Sequence, residues 1–86
     1  MRSIRVTATG LAFTGHTSVQ GFTLVPDSDA ATIVLNDSLD GSGTDKGEAK
    51  TDKDYSTESS MYGEMFNTGI YVTLTGTGAV AYIYIK

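Results

Sequence analysis

The sequence predicts an all-β fold: a small antiparallel β-sandwich of jelly-roll or Greek-key type, one domain over residues 1–86. Three observations carry this expectation. Apolar and polar residues alternate with a period of two rather than 3.6. Thr, Val, Ile and Tyr fill the alternating runs, and their branched or flat side chains suit a pleated surface. Ten glycines and one proline cut the chain into short pieces, too short for a helix of ordinary length.

The elements follow in order. The first strand is expected at 2–9, with Ile4, Val6 and Ala8 on one face and Arg5, Thr7 and Thr9 on the other. Strands at 11–14 and 18–25 come next, Phe22 and Leu24 alternating with Thr23 and Val25. Val25-Pro26-Asp27 ends the third strand; no helix is expected, and any short helical turn would sit near Asp27 to Ala31. A strand at 30–36 then runs into Asn36 to Gly47, which is polar and glycine-rich and reads as a loop. Strands at 47–54, 57–62 and 64–67 are expected at sheet edges, because Glu48 to Ser60 nearly lacks large apolar residues. Their charges would discourage edge-to-edge aggregation. In the strand at 70–75, Ile70, Val72 and Leu74 point inward and Tyr71, Thr73 and Thr75 outward; the last strand covers 79–85. Val6-Thr7-Ala8-Thr9-Gly10 and Val72-Thr73-Leu74-Thr75-Gly76 both run a strand into a glycine turn, but two five-residue copies do not make a repeat architecture.

Size and composition exclude several classes of function. With 86 residues, no cysteine and one histidine, the chain can form neither a disulfide nor an ordinary structural zinc site. A thin core without staples favours association with copies of itself or with a larger surface. The net charge is -4 and no basic patch is present, which argues against nucleic acid as a partner. The charge is uneven: from Asn36 to Glu64 eight acids oppose three lysines. The start, Met1 to Thr7, has no apolar core of a signal peptide, and no run nears the roughly 20 residues of a membrane helix. A protein made in the cytoplasm, with no membrane partner, is expected.

No group of residues converges on catalysis. His16, between Gly15 and Thr17, reads as an exposed turn residue. Asp27 with Asp29, and Asp52 with Asp54, could each share a face, but nothing apolar flanks them to raise a carboxyl pKa. Asn36, Ser38 and Asp40 fall at positions one, three and five of an EF-hand-like loop, with Gly41 at six. The pattern then fails, because position twelve is Gly47 and Glu48 comes one place late. Calcium held in another loop geometry, or a flexible hairpin or crossover loop, both stay open. Gly41-Ser42-Gly43 is too short for a phosphate cradle. Thr7, Thr9, Thr73, Thr75 and Thr77 provide too few ranks for an ice-binding array. No enzyme, cofactor, catalytic residue or metal ligand is therefore expected.

The last strand is the most informative. Val80, Tyr82 and Tyr84 lie on one face and Ala81, Ile83 and Ile85 on the other, so both faces are apolar. An antiparallel strand in a thin sandwich ordinarily shows one polar face. Either the strand is central with both faces covered by its own chain, or the tyrosine face meets another chain. Tyrosine suits interfaces because it offers a large apolar area and a hydroxyl. The small size of the domain tips the choice towards an interface, with Tyr82 and Tyr84, joined by Tyr71, as its residues.

The segment Phe66-Asn67-Thr68-Gly69-Ile70-Tyr71-Val72-Thr73-Leu74-Thr75-Gly76-Thr77-Gly78-Ala79-Val80 resembles the end of a group of small tailed-bacteriophage virion proteins. These carry a phrase of the form F-x-x-G-L/I-Y-V-x-L-T-G-T-G-A. Val6 to Gly10, Gly21 to Leu24, Asp29 to Asp37 and the Gly-Ser-Gly loop fit the looser pattern upstream. Lys46 to Tyr62 departs from it, being longer and more charged. The resemblance implies a virion structural protein with a small β-sandwich. It implies capsid decoration, or cement, on the outer surface of a phage head, and so localisation in the virion. The major capsid protein or another virion protein would be the partner, and the protein would be a homo-oligomer, a trimer by analogy with proteins at local three-fold positions. A neck, tail or fibre module that binds a receptor or glycan is the alternative, which the absence of tryptophan disfavours. A small enzyme or an inhibitor of a host enzyme ranks last.

Overall fold

The computed structural model describes residues 2–86. Eight strands follow along the chain: β1 (Arg2–Val6), β2 (Gly10–Thr14), β3 (Thr17–Val25), β4 (Ala31–Asp37), β5 (Thr44–Thr51), β6 (Thr57–Phe66), β7 (Gly69–Thr75) and β8 (Val80–Ile85). They form two antiparallel four-stranded sheets, ordered β1-β8-β3-β6 and β2-β7-β4-β5. The chain changes sheet at every connection except β4 to β5, which stays within the second sheet. This alternation is that of an eight-stranded jelly roll.

Burial explains which strands are central. The inner faces of β3 and β8 in the first sheet oppose those of β4 and β7 in the second. Val19, Phe22 and Leu24 on β3 and Ala81, Ile83 and Ile85 on β8 are buried, as are Ala31, Ile33 and Leu35 on β4 and Ile70, Val72 and Leu74 on β7. The edge strands add little: Val6 from β1 and Phe66 from β6 are buried, and β5 contributes no buried side chain. A cation closes each open side of the sandwich. The Arg2 guanidinium lies 5.9 Å from the Phe13 ring centroid at the β1–β2 side. Lys46 Nζ lies 5.8 Å from that of Phe66 at the β5–β6 side.

Three boundaries differ from the sequence expectation. The first strand ends at Val6, and Ala8 and Thr9 lie exposed in the turn that follows. The Thr9 hydroxyl still accepts from the Leu74 N–H (3.0 Å) and donates to its carbonyl (3.1 Å), which prolongs the β2–β7 ladder by a side chain. No helix forms among the described residues, as the sequence led one to expect, and Asp27 to Ala31 holds no helical turn. β5 begins at Thr44, so the loop after β4 is only residues 38–43. The strands expected at 57–62 and 64–67 are one strand, β6.

The interruption within β6 is a bulge. Gly21 pairs with Ser60 and Val19 with Glu64, so β6 advances four residues where β3 advances two. Tyr62 (φ 53°) and Gly63 (φ 77°) take up the excess in the left-handed region. Tyr62 is 90% exposed, so its ring secures nothing in return for that conformation. We expect Tyr62→Gly to raise stability by about 1 kcal/mol and Tyr62→Val to lower it by a similar amount, read from urea denaturation midpoints. Equal stabilities for the two variants would show that the bulge is unstrained.

Candidate functional site

The feature that could serve a function is the outer face of the first sheet. Two rows of side chains cross it, set by strand register. Ser3 pairs with Tyr84, Tyr84 with Gly21 and Gly21 with Ser60. One step along the strands, Arg5 pairs with Tyr82, Tyr82 with Thr23 and Thr23 with Glu58. Tyr82 and Tyr84 project from the central strand β8 and are half-buried by these neighbours. The Tyr84 hydroxyl shares a 3.0 Å hydrogen bond with that of Thr23.

Gly21 makes a hollow in this face. A Cβ there would stand 2.6 Å from the Ser59 carbonyl oxygen, so β6 can run this close to β3 only where the side chain is missing. The hollow opens into a shallow groove of about 480 Å³, bordered by Gln20, Thr23, Glu58, Ser60 and Tyr84. Its lining is mixed: one aromatic ring, hydroxyls, an amide and a carboxylate.

The sequence grouped Tyr71 with Tyr82 and Tyr84, but the three do not share a face. Tyr71 is on β7 in the second sheet, pointing outward between Leu11 and Asn36. Loop 38–43 folds over it: a Cβ at Gly41 would lie 3.0 Å from Tyr71 Cε1. Tyr71 therefore supports its own loop. β8 itself is central, yet among the described residues only its inner face is covered by the other sheet.

The loop considered for calcium is held by its own hydrogen bonds. Asn36 is 4% exposed; its Nδ2 donates to Gly43 O (2.9 Å) and Asp45 Oδ1 (2.7 Å). Its Oδ1 accepts from Ser38 Oγ (2.5 Å) and Gly43 N (3.0 Å). Asp40 Oδ1 accepts from the Ser42 N–H and hydroxyl, which hold the Asp40 carboxyl below its ordinary range. Asn36, Ser38 and one Asp40 oxygen are thus engaged by donors within the loop. The residues form a hydrogen-bonded turn.

Asp37 beside this loop is a structural clamp that the sequence did not single out. Its carboxylate accepts the backbone N–H groups of Thr68 (2.9 Å), Asn67 (3.1 Å) and Gly69 (3.4 Å), so it fixes the β6–β7 turn from about thirty residues away. Lys46 Nζ lies 3.8 Å from it and 3.7 Å from Glu64, and donates to Met65 O at 2.7 Å. The Thr68 N–H is the chief reason the Asp37 pKa falls below its ordinary value of 3.8, with Asn67, Gly69 and Lys46 adding to it against partial desolvation.

The remaining candidates lie apart. His16 is exposed in the β2–β3 turn, beside Thr17, Ser18, Met65 and Lys86, with no carboxylate lining that groove. Asp27 and Asp29 are exposed before β4, and Asp52 and Asp54 are exposed between β5 and β6. Thr73 and Thr75 point outward on β7, and the Thr75 hydroxyl meets that of Thr32. Thr7, Thr9 and Thr77 lie in turns, so no flat threonine array forms.

Arg5, Gln20, Thr23, Glu58 and Ser60 complete the tyrosine face, and the sequence reading passed over that role. Period two places Arg5, Thr23, Glu58 and Ser60 outward, Gln20 joins them through the register shift between Val19 and Gly21, and only the order β1-β8-β3-β6 brings them together. No protein-family model, curated protein or solved structure matches this chain.

The clamp has a pH signature. A carboxyl with a depressed folded pKa contributes stability that is present above its unfolded pKa and lost as pH falls through the folded value. Asp37→Ala should therefore cost about 1.5–3 kcal/mol at pH 7. The gap between wild type and variant should shrink as pH falls below 3.8. Urea midpoints at pH 7 and at pH 2–3 measure it. A gap independent of pH would remove the charged clamp from the account.

Proposed function

We propose that this protein is a non-catalytic structural component of a virus particle, a capsid decoration protein that binds the outer surface of a phage head and stabilises it. The observation that carries the reading is the tyrosine face: a broad outer sheet surface with Tyr82 and Tyr84 at its centre and few charges around them. Such a surface suits another protein, because aromatic side chains supply area and a hydroxyl while losing little conformational freedom. The jelly-roll strand order is an architecture used by viral capsid and lectin domains, and the Phe66 to Val80 phrase resembles tailed-phage virion proteins. Fold alone does not assign function, so the surface and the phrase bear the weight. In this role many copies, associated with one another and with capsid subunits, add buried apolar area at junctions that internal pressure would open.

A second reading has its own observation. The groove bordered by Gln20, Thr23, Glu58, Ser60 and Tyr84 combines one ring with hydrogen-bonding groups, a lining that a sugar could use. A tail or fibre module that binds a receptor glycan would present it.

Quantitative mass spectrometry of virus particles from the source, scaled to the major capsid protein, tests both. Copy numbers comparable to the capsid protein are expected for decoration. A handful of copies would move the protein to the neck or tail and favour the glycan reading. Absence from particles would overturn both.

A further inference from the structure

We infer that the tyrosine face pairs with the same face of a second copy of this chain, face to face about a two-fold axis, with Arg5 of each copy paired to Glu58 of the other. The inference does not depend on a role in the virion.

The argument begins with the charges. Within the four strands of the first sheet, the charged side chains that turn outward are Arg5 and Glu58. They occupy the two ends of one row, Arg5 on the edge strand β1 and Glu58 on the edge strand β6, with Tyr82 and Thr23 between. Three strand spacings hold them about 14 Å apart, too far to meet within one chain. Both are exposed, and among the described residues neither forms an ion pair.

A two-fold axis in the plane of contact, parallel to the strands and midway between β8 and β3, exchanges β1 with β6 and β8 with β3. It carries Arg5 of each copy to a place opposite Glu58 of the other, so both charges are matched twice. The neutral row lies under the same axis. Each Tyr84 ring leans across its own sheet from β8 to the Thr23 hydroxyl on β3, so the two-fold brings the two copies' rings together at the centre of the face. One operation thus matches both charges and sets aromatic area at the centre, as an isologous interface requires.

Aligned packing of one twisted sheet on another, about 30° apart, is an ordinary way for such faces to meet. The pairing is two-fold where the resemblance implied three-fold, and the number of subunits separates the two.

The test uses the intact chain in solution, by sedimentation velocity and native mass spectrometry. The wild type is expected to dimerise. Arg5→Glu and Glu58→Arg should each weaken the dimer by about tenfold or more, since each places like charges opposite one another. The double variant R5E/E58R should return to within about threefold of wild type. An equal mixture of the two single variants should form a heterodimer, because one chain then presents two acids and the other two bases. Circular dichroism of each variant confirms that the sheets persist. A monomeric wild type at millimolar concentration, a trimer, or a mixture that fails to pair would each overturn the proposal. Failure to pair leaves the particle measurement unaffected, and absence from particles leaves the pairing unaffected.

Discussion

The structure depends on one constraint: an 86-residue chain without cysteine must bury the inner faces of two sheets against each other, and four strands supply most of the side chains that do it. β3 and β8 supply one wall, β4 and β7 the other. Everything else follows from placing those four centrally. The strands that bury less, β1, β2, β5 and β6, lie at the edges, and the jelly-roll connection delivers them there in adjacent pairs. Each open side is then closed by a cation over a ring instead of by more core, which suits a long basic side chain whose stem is apolar and whose head reaches water.

The same economy explains the loops. A core this thin cannot anchor long connections by burial, so polar side chains do it instead. Asn36 satisfies both ends of loop 38–43 with its amide, and Asp37, the next residue, spans to the β6–β7 turn. Neighbouring residues on a strand point to opposite sides, so one residue serves the loop and the next the distant turn. No buried side-chain nitrogen or oxygen among the described residues is left without a partner. The cost of placing Asn36 and Ser38 inside is thereby met in full.

Much of the fold was legible. Period-two alternation correctly turned Ile70, Val72 and Leu74 inward and set Tyr82 and Tyr84 on the face opposite Ala81, Ile83 and Ile85, because burial of one face leaves that imprint directly in the sequence. The errors have a common source, in that local signals have more than one structural use. Gly63 looked like a turn, but beside Tyr62 it forms a bulge and the strand continues. Thr44 to Lys46 looked like loop because an exposed edge strand needs no apolar pattern. Tyr71 could be assigned a side of its strand but not a sheet, since neighbours across a jelly roll are far apart in sequence. For the same reason neither the Asp37 clamp nor the Arg5 to Glu58 row could be read from the chain.

Charge gives the molecule a direction. The acid-rich stretch from Asn36 to Glu64 becomes β5, β6 and their loops, which together form one side of the sandwich, while Arg2 and Arg5 lie on β1 at the other. Like edges of two copies brought side by side at β6 would set acid against acid. The β6 bulge also twists that edge away from straight ladder formation. Edge-to-edge extension of the first sheet at β6 is therefore opposed by both charge and backbone. The outer face of that sheet is open to another chain, and its charges are few, of opposite sign and at opposite ends. A surface of that kind does not attract every partner; it selects one that presents acid and base in the reverse order, and the nearest such surface is its own.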